Sequence, residues 1–379
     1  MGIAPSAGVR RGIIVDLDDA TSSIRKSVEE ARRSSGATTK SVWLAVGGAH
    51  VAVSSSRGVV AVSRADGEIS PEDARRAIAA AETFVPKNPN KEILHIIPRD
   101  FKVDNEANIK NPVGMHGIRL EVDALIIECS SPLLKNLLKC VGGAGLTVED
   151  YVFAPFAASA SVLSKRQKEL GVMLLDVGGG TASFVIYEEG VPIHAGVIPI
   201  GGNHITNDVA IGFRTHVDAA ERIKVAYGSC LAAELSKREA IRLAEFVEGE
   251  GGVYSRRELA EIIEARLGDI FELLHKELKK IGRVQLLPAG VVLVGGSALL
   301  PGLVDLTKRE MKLPVELGRP QEFLSVVDEG IAPTFAAVFG VLEWARLRRE
   351  EEGGWLARGH KSMGFSESPW LKWLRSLLP

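Results

Sequence analysis

The stretch LLDVGGGTASFVIYEEG, residues 174–190, decides how this chain is read. Apolar residues run up to Asp176, three glycines (Gly178, Gly179, Gly180) break the run, and a second apolar segment, Ser183–Tyr187, comes next. That pattern fits two strands folded back over a glycine turn. Glycines let backbone N–H groups come close to an anion, and a concave run of amides suits phosphate. A carboxylate just before the turn, here Asp176, is placed to hold Mg2+ directly or through water, and the Thr181 hydroxyl to donate to a phosphate oxygen. The same pattern also describes a plain hairpin that binds nothing.

Two stretches further along bear on the choice. LVGGSALLPG, 293–302, reads as a buried strand ending in Gly295 and Gly296, with Ser297 near a helix start. Such a turn lets backbone pack against a flat ring or sugar. In AAERIKVAYGSC, 219–230, Glu221 and Lys224 lie on one helix face. They fit either an exposed ion pair or a grip on ribose and adenine. Each stretch alone is weak; glycine turns paired far apart in one chain are a stronger sign of a nucleotide held between two lobes.

The 379 residues carry a net charge of −2, with no local basic excess that would point to nucleic acid. Cys129, Cys140 and Cys230 form no CxxC pair, so neither a disulfide scaffold nor a zinc site is expected, and a reducing cytoplasm fits. Helix and strand patterns alternate throughout, which predicts an α/β fold. Thr21 opens a helix through Arg33, and Ser70 caps another with Pro71 at its first position. Residues 57–130 read mostly as strand around that one helix, as a small inserted α+β domain would. The uncharged run 286–304 is long enough for a bilayer, but two prolines and four glycines interrupt it. It predicts a buried strand, a turn and a helix start.

After a helix from about Ala332 to Arg349 the composition turns polar and charged, which predicts a flexible linker over 346–367. The tail, SPWLKWLRSLLP, begins with a helix cap and a proline. At the helical period Trp370, Leu371, Trp373, Leu374, Leu377 and Leu378 fill one arc, with Lys372 and Arg375 opposite. That composition suits a helix lying in a membrane interface, and two of the chain's five tryptophans lie in these twelve residues. A helix docked on the protein's own core is the other reading.

Taken in order, these motifs resemble the actin-like ATPase superfamily, and most closely its bacterial division branch, the FtsA family. GVMLLDVGGGTASFVIYEEGVPIHAGVIPIGGNHITNDVAIGFRT, 171–215, is similar to that family's second phosphate motif with the strand and helix after it. GVRRGIIVDLDDATSSIRKSVEEA, NPVGMHGIRLEV, VVLVGGSALLPG and IAPTFAAVFGVLEWA resemble the family as well. The resemblance implies an actin-like fold whose lobes, 1–56 with 131–200 and 201–345, clasp ATP and Mg2+. It implies the insertion at 57–130 and, at 368–379, an amphipathic anchor to the inner membrane. It further implies a scaffold that polymerises, tethers the C-terminal tail of tubulin-like FtsZ to that membrane at the division site, and recruits later division proteins. Candidate partner surfaces lie roughly over 229–282. A cell-shape or pilus scaffold, or a small-molecule kinase of the superfamily, is the alternative.

Three departures qualify the resemblance. The family's first phosphate turn, a GLDIGTS-like pattern, has no counterpart ahead of GVRRG, and a chain that starts too late is the expected reason. A gap in the first lobe's sheet would result. Ala182 and Ser183 replace the final residues of the usual GGGTTD. Ala154 stands where related ATPases place a glutamate that orients water, so weak or absent hydrolysis is expected.

Overall fold

The computed structural model describes residues 1–356 apart from 87, 237 and 249–250. In chain order its elements are a short hairpin, β1 (Val9–Arg10) and β2 (Ile13–Ile14), then α1 (Leu17–Ser35) and β3 (Ser41–Val46). After them come β4 (Ala52–Ala61), α2 (Pro71–Thr83), β5 (Lys91–Val103), β6 (Glu106–Ile109) and β7 (Arg119–Ser130). Next are α3 (Ser131–Gly143), β8 (Thr147–Phe153), α4 (Ala154–Val162) and α5 (Lys165–Leu170). β9 (Val172–Val177), β10 (Ala182–Glu188), β11 (Val191–Ile198), α6 (Gly202–Gly212) and α7 (Val217–Tyr227) lead to the two short strands β12 (Ala240–Arg242) and β13 (Val253–Ser255). The last elements are α8 (Arg256–Lys280), β14 (Gly290–Val294), α9 (Leu303–Met311), β15 (Val315–Leu317) and α10 (Ala336–Leu356).

The glycine hairpin forms as the sequence predicts. β9 and β10 pair antiparallel with Val177 opposite Ala182, and β11 adds to the far edge of β10. β14 lies parallel to β9 from Gly290↔Val172 to Val294↔Asp176, and β15 completes a sheet of order β11-β10-β9-β14-β15. The central strands read as unbroken apolar runs because both faces are covered. Met173, Leu175 and Val177 face a core shared with Ile205, Ile223, Leu267 and Leu306 of α6 to α9. Val172 and Leu174, alternating with them, face Phe156 of α4 and Trp344 of α10. α4 and α10 cross so closely that a Cβ on Gly340 would lie 1.7 Å from the Ala157 carbonyl oxygen.

This sheet moves the expected boundary between lobes. The sequence reading places residues 172–198 in the first lobe, yet β9 to β11 share a sheet with β14 and β15 of the second. The pairing joins segments far apart in the chain, which local periodicity does not register. In the first lobe β3 and β8 pair in parallel, and α1 packs on α3. α1 starts at Leu17, four residues before the expected Thr21, because the Asp16 side chain accepts from the N–H groups of Asp18 and Asp19.

The inserted unit is a sheet of order β4-β7-β5-β6 with α2 on one face. Ala74, Ala77, Ile78 and Ala81 of α2 pack on Leu120, Val122 and Ile126, while Leu125 and Ile127 on the other face join the first-lobe core. Ser70 caps α2 in a reciprocal pair with Asp73, as expected. Its first strand starts at Ala52, ahead of the boundary expected at 57, because AVSSSR is too polar to show a buried alternation.

The stretch 286–304 folds as predicted into β14, a single 3-10 turn over Gly296–Leu299, and the start of α9. Among the described residues no helix is long and apolar enough to cross a membrane. The expected linker begins too early, since α10 continues through Leu356. Its arginines, leucines and glutamates are good helix formers, and Arg346 pairs with Glu343 one turn back. The remainder of that linker, 357–367, and the tail 368–379 lie outside the described residues.

Candidate functional site

Because β9 and β14 are parallel neighbours, they deliver their two glycine turns side by side. Gly295 comes directly after β14 with φ +91°, and a Cβ there would stand 2.3 Å from Asp176 Oδ1 and 2.6 Å from the Val177 carbonyl oxygen. Ser297 Oγ then donates to the Gly178 carbonyl at 3.3 Å, across 119 residues of sequence. Asp176, Gly178, Gly179, Gly180, Thr181, Gly295, Gly296 and Ser297 are thus brought to one end of one sheet.

The start of α6 sets the polarity of the first turn. Gly202 N donates to the Gly178 carbonyl at 2.9 Å and Asn203 N to the Gly179 carbonyl at 2.7 Å, while Gly178 N donates to the Thr181 carbonyl at 2.9 Å. The carbonyls of Gly178, Gly179 and Thr181 are therefore occupied by protein donors. Among the described residues, the N–H groups of Gly179, Gly180 and Thr181 donate to no protein acceptor. Adjacent free amides of this kind are able to receive the oxygens of an anion.

Glu221 and Lys224 on α7 meet the same helix start. Lys224 Nζ lies 2.6 Å from Glu221, 2.8 Å from Thr206 Oγ1 and 3.2 Å from the Gly202 carbonyl. An ammonium has three protons to donate, and three acceptors take them. Lys224 is buried, so its charge fixes α6 against α7, whereas Glu221 keeps part of its carboxylate in solvent. Thr206, which accepts from Lys224 and donates to Glu221, is not among the residues that the sequence singles out. It sits inside GGNHITND, where nothing in the spacing marks it as a bridge.

Asp176 is half-buried at the end of β9, and desolvation there pushes its carboxyl up to about 6. Its carboxylate forms no hydrogen bond or ion pair among the described residues, although its backbone lies in the paired strand β9. An unpartnered carboxylate beside free amides suits a hydrated divalent cation bridging to an anion. No group of three or more potential ligand side chains occurs among the described residues, so such an ion would fill its shell with water and ligand oxygens.

Two further residues frame the turn, and the sequence does not announce either of them. Asn203 lies against Gly179, where a Cβ would come 3.2 Å from its Oδ1. The loop of the β1–β2 hairpin covers Gly180, where a Cβ would come 2.8 Å from Arg11 Cα, and Ala49 N holds that loop by donating to the Arg11 carbonyl at 3.0 Å. Ala154, at the first position of α4, offers a methyl and no group to orient water. The tail residues Trp370, Leu371, Lys372, Trp373, Leu374, Arg375, Leu377 and Leu378 lie outside the described residues.

Known proteins share this architecture. Residues 173–340 match the family described as Cell division protein FtsA, and residues 48–128 the SHS2 domain inserted in FTSA. The Cell division protein FtsA of Pseudomonas aeruginosa is 34% identical over 353 residues, covering 93% of this chain and 84% of that one. That of Borreliella burgdorferi is 38% identical, covering 90% and 83%, and that of Bacillus subtilis 36%, covering 91% and 77%. Among solved structures, the PilM-PilN type IV pilus biogenesis complex aligns with a TM-score of 0.64 at 19% identity, covering 89% of this chain and 88% of that one, which shows a shared fold. With an actin-like fold, the inserted SHS2 domain and this identity over nearly its whole length, the chain belongs to the FtsA family of cell division proteins.

Proposed function

We propose that this protein is an ATP-binding scaffold of cell division that anchors FtsZ to the membrane. The observation that carries the nucleotide reading is the pair of adjacent glycine turns, with the amides of Gly179, Gly180 and Thr181 free and Asp176 unpartnered beside them. The amides would receive phosphate oxygens, Thr181 would add a hydroxyl, and Asp176 would hold Mg2+ directly or through water. Bound Mg2+ would neutralise phosphate charge. Gly295, Gly296 and Ser297 would lie against the nucleoside, and Glu221 would accept from ribose hydroxyls while Lys224 keeps α6 in place. With Ala154 in place of a water-orienting group, nucleotide would act as an assembly ligand with little turnover.

Family membership supports the rest of the reading and favours it over a pilus or cell-shape scaffold or a small-molecule kinase. In this reading the protein sits peripherally on the cytoplasmic face of the inner membrane. Each tail at 368–379 binds lipid weakly through its tryptophan and leucine face. Polymerisation arrays many tails, and avidity makes the attachment firm. Liposome flotation tests this. The full chain should float with anionic vesicles and carry a peptide of the FtsZ C-terminal tail with it, and a chain ending at residue 367 should do neither. Flotation of the shortened chain would remove the tail from the account, and failure of the full chain to take up the peptide would remove the FtsZ tether.

A further inference from the structure

The β1–β2 hairpin places beside the 178–181 turn a cation that no group among the described residues neutralises. Arg11 sits at its tip with φ +52°, its backbone packed on Gly180 and its carbonyl held by Ala49 N. Gly12 and Gly48 touch alongside, so close that a Cβ on Gly12 would lie 2.5 Å from Gly48 Cα. That contact fixes the tip against the Gly47–Ala49 segment of the first lobe. Among the described residues Arg11 makes no ion pair or side-chain hydrogen bond, unlike Arg25, Arg99 or Arg266, each of which is tied to a protein acceptor. Its guanidinium remains in solvent.

The neighbouring groups point to what it faces. His204, near the start of α6, accepts from Gly201 N through Nδ1 at 3.1 Å. Its pKa is lowered by burial first and by the charge of Arg11 second, so the guanidinium field reaches this edge of the turn. Asn203 lies against Gly179, and its side-chain amide has no protein partner among the described residues. The backbone of Arg11 on Gly180 and the side chain of Asn203 against Gly179 thus both adjoin the turn that carries three free backbone amides, and among the described residues no carboxylate is paired to the cation.

We infer that Arg11 is a phosphate ligand: it bridges from the first lobe to the phosphate chain of the nucleotide held on the 178–181 turn, with Asn203 as a second side-chain donor. This rests on the reading of that turn as a nucleotide site. Arg11 supplies from the hairpin the positive charge that Lys224, with all three donors committed within the protein, does not. A planar guanidinium suits a phosphate because it can donate two parallel hydrogen bonds.

Calorimetry on the full chain tests it, with Mg·ATP and with adenosine as separate titrants. Arg11→Gly removes the charge at a position whose positive φ glycine adopts without strain. It should weaken Mg·ATP by about tenfold or more, as expected for loss of a charge-assisted hydrogen bond, leave adenosine unchanged, and flatten the salt dependence of ATP binding. Arg11→Lys should restore part of the loss. Equal ATP affinity in Arg11→Gly and the wild type would overturn the inference while leaving the nucleotide site standing. Parallel loss of ATP and adenosine would also overturn it, because that marks a structural role. No binding of Mg·ATP by the wild type would overturn both this inference and the reading beneath it.

Discussion

Gly295 lies against Asp176 so closely that its missing Cβ would stand 2.3 Å from the carboxylate Oδ1. This contact, together with Ser297 Oγ on the Gly178 carbonyl, ties the turn after β14 to the end of β9. Gly295→Ala adds that Cβ at φ +91°, where an L side chain is strained as well as crowded. The variant should lose about 2–4 kcal/mol of stability from the strained backbone and the overlap together, read from the midpoint of urea unfolding. Gly36→Ala provides the comparison, since its φ is also positive but no atom lies within 4 Å of the added Cβ. It should lose clearly less.

Asp176 gives the stability curve a pH dependence of defined sign. Burial raises its folded pKa from 3.8 to about 6, so between those values the folded chain keeps a proton that the unfolded chain releases. Its contribution is full below about pH 4 and is lost as pH rises through 6. Asp176→Asn removes the titration and should be about 1–3 kcal/mol more stable than the wild type at about pH 7.5, with the gap closing as the pH falls toward the unfolded value. Thermal melts across that range check it; a gap that grows on acidification would contradict it.

Lys224 is predicted to matter for structure ahead of ligand contact. Lys224→Met leaves the Gly202 carbonyl, Thr206 and Glu221 without their shared donor and should cost about 2–3 kcal/mol. Hydrogen exchange should rise at the start of α6, because those amides hold the turn carbonyls of Gly178 and Gly179.

How much of the site is legible in the sequence depends on what gives each residue its role. The hairpin at 174–190 and the strand at Gly290–Val294 are legible because apolar runs end in glycine at both places, and strands buried on two faces leave that signature. The lobe boundary expected at 200 is misplaced because β9 pairs with β14 across more than a hundred residues, and no local window contains both. Thr206 and Asn203 are visible as letters, but only the docking of α6 onto the turn gives them partners. Arg11 is hidden for the same reason: its place beside Gly180 comes from tertiary packing of an exposed hairpin with two residues per strand.

The inserted domain is pinned to the second lobe at a point that can be cut. Arg99 on β5 donates to the Ile193 carbonyl on β11 at 2.8 Å and pairs with Asp123 at 2.9 Å. Arg99→Ala should destabilise the chain by about 1–3 kcal/mol through the lost charge-assisted bonds, and calorimetric unfolding should show the inserted domain separating from the rest. Arg99→Lys should recover less than half, because one ammonium does not reproduce the fork that serves both acceptors.

The measurement that bears most directly on the central claim is hydrogen–deuterium exchange of the full chain with and without saturating Mg·ATP. The free amides of Gly179, Gly180 and Thr181 exchange readily unless an anion occupies them. The account predicts marked slowing in peptides covering 178–181 and 295–297 together, with little change in the inserted domain's β4 to β7. Binding that leaves both glycine turns unprotected, or protects only one of them, would contradict the claim that the two turns form a single nucleotide site.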